Sequence, residues 1–230
     1  MKIKNLIFDL GGVIATLNPQ EAYKRFQQLG ILDAPERMGV YGQTGFFRQV
    51  ETGEISADDF CNALSDEAQR QSNQMNTRKP IIGFSQAQWA WMGYIRDVPQ
   101  QRLDRLFELK KNYKVFLLSN TNPFIWKWAE SCSFSSTGHP ITDYFDKCYC
   151  SFQLGAYKPS PLIFTTMMED AQIMPQESVF LDDGPKNVEA AQQVGIQGLL
   201  VPENEDWWPA LEQLLKADGF NEPYIEGGQI

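Results

Sequence analysis

The sequence predicts an α/β fold: a doubly wound parallel sheet with a small all-helical segment inserted after its first strand. Three observations predict it. Of five short apolar runs, one at the start and four in the second half of the chain, three are nearly continuous rather than alternating, as in strands covered on both faces. Helical patterns separate the later runs, and strand–helix alternation is the mark of a doubly wound sheet. Between the first run and the others lies a long stretch, 19–99, rich in Gln, Glu, Asp and Arg, with apolar residues at helical spacing.

The elements follow in order. The first strand is read over 4–9, ending in Asp9. Within 19–99 no strand is expected. Gly53 to Phe60 reads as a turn and then a helix, capped by Ser56 with Asp59 three residues on in a capping-box position. A helix over 101–111 carries Leu103, Leu106, Phe107 and Leu109 among charged residues, and Lys110-Lys111 suits its carboxyl end. Strands are expected over 114–120, more weakly over 147–151, and over 178–183 and 198–201. Helices over 161–171 and 187–194 lie among them, the second stopped by Gly195. Residues 131–142 read as an exposed Ser-rich loop and 221–230 as a loose tail. The division expected is 1–18 and 100–230 as the core, with 19–99 inserted.

Composition narrows the function. The 230 residues are 43% hydrophobic and 13% aromatic, enough to build a core. A net charge of −9 repels nucleic acid and anionic lipid, so neither is expected as a partner. No apolar run approaches the roughly 18 residues that span a bilayer, and the amino terminus lacks a signal-peptide pattern. A cytoplasmic protein is expected. Cys61, Cys132, Cys148 and Cys150 form no C-x-x-C pair and accompany a single histidine, His139, so they are expected reduced and unpaired rather than zinc-bound.

The chemistry lies where strands end. Three apolar runs terminate in polar groups: Asp9, Ser119-Asn120 and Asp182-Asp183. Open α/β sheets bind ligands beyond the carboxyl ends of their strands, so neighbouring strands would bring these groups together. Clustered carboxylates repel unless a cation lies between them. Hard oxygens without histidine or cysteine select magnesium, which keeps waters and binds substrate phosphate. Lys158, in Gly155-Ala156-Tyr157-Lys158-Pro159, offers positive charge. Ser119 and the amides of Asn120 and Thr121 offer donors.

These motifs resemble the haloacid dehalogenase (HAD) superfamily, in the family's order: Phe8-Asp9-Leu10-Gly11-Gly12-Val13, then Leu117-Leu118-Ser119-Asn120, then Lys158-Pro159, then Phe180-Leu181-Asp182-Asp183 with Asn187 behind. The resemblance covers 1–18 and 100–205, and 19–99 falls where many members insert a helical cap. It implies a Rossmann-like core and a magnesium-dependent phosphatase with a small phosphorylated substrate. Asp9 would take the phosphoryl group, Ser119 would hold a phosphate oxygen, and Lys158 would neutralise the phosphate. Asp183 would bind magnesium with Asp9 and the Gly11 carbonyl, Asp182 would join directly or through water, and Asn187 would steady the metal loop. The chain departs from the family at Gly11, where most of its phosphatases carry a second aspartate that protonates the leaving alcohol. It looks most like a sugar-phosphate phosphatase subgroup with an Asp-Leu-Gly opening, whose substrates include α-glucose 1-phosphate. Two rivals are a phosphotransferase or mutase, and a non-catalytic binding module that lost its general acid.

Other residues carry open readings. Trp89 and Trp91 either pack the cap or stack on a sugar ring. Arg48, in a Gly-flanked segment with Phe46 and Phe47, is either a substrate contact or a surface residue. His139 is a surface histidine or, less in keeping with its loop, a base. Trp207 and Trp208 are expected to cover the last strand.

Overall fold

The computed structural model describes residues 2–39, 42–72 and 80–219. Strand β1 (Asn5–Phe8) is buried at every residue. A short β2 (Thr16–Leu17) follows, then helices α1 (Pro19–Gln28) and α2 (Ala34–Arg37). A hairpin of β3 (Met38–Gly39) and β4 (Gly42–Gln43) leads to α3 (Gly45–Thr52), α4 (Ala57–Gln71) and α5 (Phe84–Trp91). Strand β5 (Ile95–Asp97) closes the segment by pairing antiparallel with β2. The chain continues through α6 (Gln100–Leu109), β6 (Lys114–Ser119), α7 (Pro123–Ala129), α8 (Ile141–Tyr144) and β7 (Lys147–Cys150). It ends through α9 (Ser151–Leu154), α10 (Pro161–Ala171), β8 (Ser178–Asp182), α11 (Pro185–Gln193), β9 (Gln197–Leu200) and α12 (Trp208–Ala217).

Five strands form one parallel sheet in the order β7-β6-β1-β8-β9. Alternate residues enter two apolar layers. Leu6, Phe8, Val115, Leu117, Val179 and Leu181 face one; Ile7, Phe116, Leu118 and Phe180 face the other. Burial on both faces is why these runs show no alternation in sequence. The register puts Phe8 level with Leu117 and Leu181. One residue further on, Asp9 emerges beside Asp182, with Ser119 at the end of the other neighbouring strand.

The inserted helices extend the apolar layer on one face of the sheet, and Phe124 of α7 joins the two, its ring centroid 5.3 Å from that of Phe60. Phe26, Phe47, Phe60 and Trp91 are buried with ring centroids 5.0–5.9 Å apart. The Ser56–Asp59 capping box forms as the sequence predicts, the Asp59 amide donating to Ser56 Oγ at 3.1 Å.

Several expectations need correction. The segment 19–99 contains strands after all, the β3–β4 hairpin and β5. Each has two or three residues, too few to display a period-2 pattern. The region 131–142 is not all exposed loop: Phe134 is buried, and Ile141 begins a helix whose apolar residues fill the groove beside α6. The two helices expected over 101–111 and 187–194 each begin one or two residues earlier, and Pro185 is well placed in a first turn. Trp207 packs on Phe8 of β1, centroids 4.9 Å apart. All four cysteines are free. The tail 221–230 lies outside the described residues. Among the described residues no helix is long and apolar enough to cross a membrane.

Candidate active site

The sheet register delivers the acidic groups to one point. Asp9 continues the β1 ladder, its amide donating to Leu181 O at 2.9 Å. One carboxylate oxygen from each of Asp9, Asp182 and Asp183 lies within 4.8 Å of the others. Lys158 reaches them from the loop before α10. Its Nζ lies 2.9 Å from Asp9 Oδ1 and 2.7 Å from Asp182 Oδ2, and the side chain is 1% exposed. With all four groups ionised, three carboxylates face one ammonium, leaving two negative charges uncompensated among them.

The electrostatics follow from that imbalance. Burial pushes the Asp9 carboxyl up to about 7, with Lys158 pulling it down and Asp182 and Asp183 pushing it further up. Burial likewise lifts Asp183 to about 6, reinforced by Asp182 and opposed by Lys158. For Lys158 burial works against the charge, but Asp182 and Asp9 outweigh it and hold the ammonium above its ordinary range. A divalent cation among the carboxylates would relieve the repulsion, and an all-oxygen donor set suits magnesium. The loop geometry leaves room for nothing larger than glycine beside them. Gly12 has φ +75°, and a Cβ there would lie 2.2 Å from Asp183 Oδ2.

The surrounding loops are tied to one another. Asp182 Oδ1 accepts from the Gly184 amide at 2.7 Å and from Asn187 Nδ2 at 2.9 Å, so both its oxygens are engaged. Asn120 clasps the Lys158 backbone in both directions: Nδ2 donates to Lys158 O at 3.0 Å, and the Lys158 amide donates to Oδ1 at 2.8 Å. Buried Arg102 fastens the β1 loop to the loop before α12, donating to Val13 O and Asn204 O at 2.7 Å each.

The sequence profile of the haloacid dehalogenase-like hydrolases matches residues 3–195. The chain belongs to this family. It is 40% identical to a D-ribitol-5-phosphate phosphatase of Bacteroides thetaiotaomicron, over 94% of this chain and 100% of that one. Among solved structures it resembles a HAD-like hydrolase of Porphyromonas gingivalis, with TM-score 0.84 and 34% identity, covering 94% of this chain and 99% of that one. A HAD enzyme of B. thetaiotaomicron, solved as an aspartate-to-alanine variant with magnesium and inorganic phosphate, superposes with TM-score 0.80 at 33% identity. That match covers 91% and 98% of the two chains.

Within this haloacid dehalogenase-like hydrolase, the structure brings together Asp9, Lys158, Asp182 and Asp183, with Ser119 ending the adjacent strand and Asn120 clasping Lys158. Asn187 holds Asp182. The Thr121 amide is already donated to Ser151 Oγ at 3.0 Å. Arg48 is exposed, its guanidinium 5.7 Å from the ring centre of Tyr157, the residue before Lys158. Trp91 is 1% exposed inside the aromatic centre of the insertion, while Trp89 is exposed under the Arg25 guanidinium. His139 is apart from the cluster, bonded to Asp143 at 2.8 Å and edge-on to Phe107.

One residue at this junction is absent from the sequence reading. Glu51 of α3 is 5% exposed, and burial pushes its carboxyl up to about 7 although Asn122 and Tyr157 bond to it. It is one acidic residue in a segment full of them, and nothing local distinguishes it from a solvated helix position.

Proposed function

We propose that the protein is a magnesium-dependent phosphomonoesterase of small phosphorylated sugars or sugar alcohols, working through an aspartyl-phosphate on Asp9. The observation that carries this reading is the Lys158 ammonium wedged between Asp9 and Asp182, with Asp183 alongside. A carboxylate held against a cation at a strand end is poised to meet an electrophilic phosphorus.

The residues divide the work. Asp9 attacks phosphorus, and Lys158 neutralises the phosphate while orienting Asp9. Ser119 Oγ holds a non-bridging oxygen, and Asn120 holds Lys158 in place. Asp9, Asp183 and the Gly11 carbonyl would hold magnesium, and Asp182, already engaged by Lys158, Gly184 and Asn187, would stand beside them. When bound, the ion neutralises phosphate charge and fixes the substrate in line. Arg48 stands near Tyr157 as a contact for the substrate's far end. The inserted helices act as the cap that excludes water and selects the leaving group.

The substrate class is favoured by the relative named for D-ribitol 5-phosphate, a primary phosphate ester of a polyol. A primary ester is therefore preferred here over the anomeric phosphate of the sequence-based expectation. Release of inorganic phosphate from ribitol 5-phosphate, from primary sugar phosphates and from α-glucose 1-phosphate tests the reading. Turnover should need magnesium and fall on the order of 10⁴-fold or more in Asp9→Asn. Equal rates in Asp9→Asn and wild type would favour a binding module, and consumption of substrate without free phosphate would favour a phosphotransferase.

A further inference from the structure

Position 11 supplies no proton, and the space beside it is tight. A Cβ built on Gly11 lies 3.2 Å from Leu17 Cδ1. A primary alkoxide is a poor leaving group, so the phosphatase reading on which this inference rests requires an acid from elsewhere. Among the described residues two acidic side chains are buried, Asp182 and Glu51. Asp182 is committed to Lys158, Gly184 and Asn187. Glu51 is not committed in that way.

Glu51 comes from α3 of the insertion and meets the loop that follows Ser119 and the loop that carries Lys158. Its Oε1 lies 3.5 Å from Asn122 Nδ2, three residues beyond Ser119, and its Oε2 lies 3.3 Å from the hydroxyl of Tyr157, next to Lys158. Both contacts are long, so the carboxyl's hydrogen-bonding capacity is largely unspent. Among the described residues no cation pairs with it. The charged and titratable groups facing it are Tyr157 and, from the end of the insertion, Tyr94; Arg48 lies against the Tyr157 ring. The helix is bolted at this point, its Glu51 carbonyl accepting from Ser151 Oγ at 2.6 Å. Gly53, at φ +75°, lets the backbone approach Phe152, whose carbonyl oxygen would lie 2.2 Å from a Cβ. An unpaired buried carboxyl is costly, and it is stable there as the neutral acid that proton donation needs.

We propose that Glu51, supplied by the inserted helix, is the catalytic residue that protonates the leaving oxygen in place of the absent aspartate at position 11. As Asp9 bonds to phosphorus, the bond to the leaving oxygen breaks with its electron pair, and the Glu51 proton moves to that oxygen. Water then attacks the aspartyl-phosphate and gives its proton to the Glu51 carboxylate, and the electron pair of the broken bond returns to Asp9.

The test is the leaving-group dependence of the first step, measured by rapid quench with the magnesium-loaded enzyme on phenyl phosphate and 4-nitrophenyl phosphate. The two esters are alike in size, but 4-nitrophenolate departs without help. In Glu51→Gln, phosphorylation by phenyl phosphate should slow about 10²-fold or more, and that by 4-nitrophenyl phosphate should stay within about threefold. Tyr157→Phe, which removes the hydroxyl beside Glu51, should show the same selective loss at smaller size. Equal losses on both esters, or none on either, overturn the assignment. A wild-type enzyme that releases no phosphate from either ester, with magnesium present, would instead count against the phosphatase reading itself.

Discussion

The strand-end cluster and the inserted helix α3 bury carboxyl groups under opposite rules. At the strand ends, Asp9, Asp182 and Asp183 share one ammonium, and the remaining charge calls for a second cation. On α3, Glu51 is buried with no cation at all, against an amide and a phenol. Burial lifts both carboxyls, Asp9 and Glu51 alike to about 7, but their neighbours differ: Lys158 pulls Asp9 back toward the carboxylate, and a divalent cation among the three aspartates would pull it further, whereas Glu51 has no cation among the described residues to draw off its proton. On the proposed phosphatase reading, the core that meets anionic phosphate needs the former, and the insertion that would handle the leaving group can use the latter.

Removing the shared cation is the hardest way to break this contrast. Lys158→Met leaves Asp9 and Asp182 facing each other in a dry site. Loss of one member of such a group costs about 3–5 kcal/mol of stability, and loss of a charge aimed at the phosphate costs roughly 10²–10³-fold in kcat. Chemical denaturation and turnover measure the two, and magnesium should restore part of the stability but little of the turnover. A variant as stable as wild type would mean that the Asp9–Lys158–Asp182 triad is not the electrostatic centre of the core.

A smaller perturbation acts on the metal side alone. Gly12→Ala forces a Cβ into the space of Asp183 Oδ2 and a side chain onto a φ of +75°. The backbone strain costs about 1–3 kcal/mol. Displacing Asp183 should weaken magnesium binding by about 10–100-fold, the scale on which disturbed metal surroundings act. A magnesium activation curve reads it directly. An unchanged curve would remove Asp183 from the metal site while leaving the Lys158 result intact.

The two regions were also unequally legible. The core strands announce themselves because residues buried on both faces leave continuous apolar runs, and parallel register turns their polar ends into one site. Asp9, Asp182, Asp183 and Lys158 are therefore readable together although Lys158 is 149 positions from Asp9 in the chain. The insertion hides its chemistry. Glu51 resembles its solvated neighbours because the groups around it, Asn122, Ser151 and Tyr157, arrive from segments 71–106 residues away. Strands β3, β4 and β5 are too short to carry a pattern, and Trp207 gives no sign in sequence that it packs on Phe8.

The gentlest test asks whether Glu51 is buried as a neutral acid. Its folded-state value, about 7, lies above the 4.5 of an ordinary glutamate, so deprotonation opposes folding. The stability tied to its proton is fully present below about pH 4.5 and is lost as pH rises through about 7. Glutamine has the same shape and no proton to lose. Compared with wild type, Glu51→Gln should therefore gain stability as pH rises, by about 1 kcal/mol between pH 6 and pH 8. Urea denaturation of both proteins at fixed magnesium across that range isolates the effect, since every other titrating group is shared. A difference that stays flat would place Glu51 among ionised carboxylates and erase the contrast between the two regions, whereas one that rises and levels off above pH 7 would fix the proton on α3.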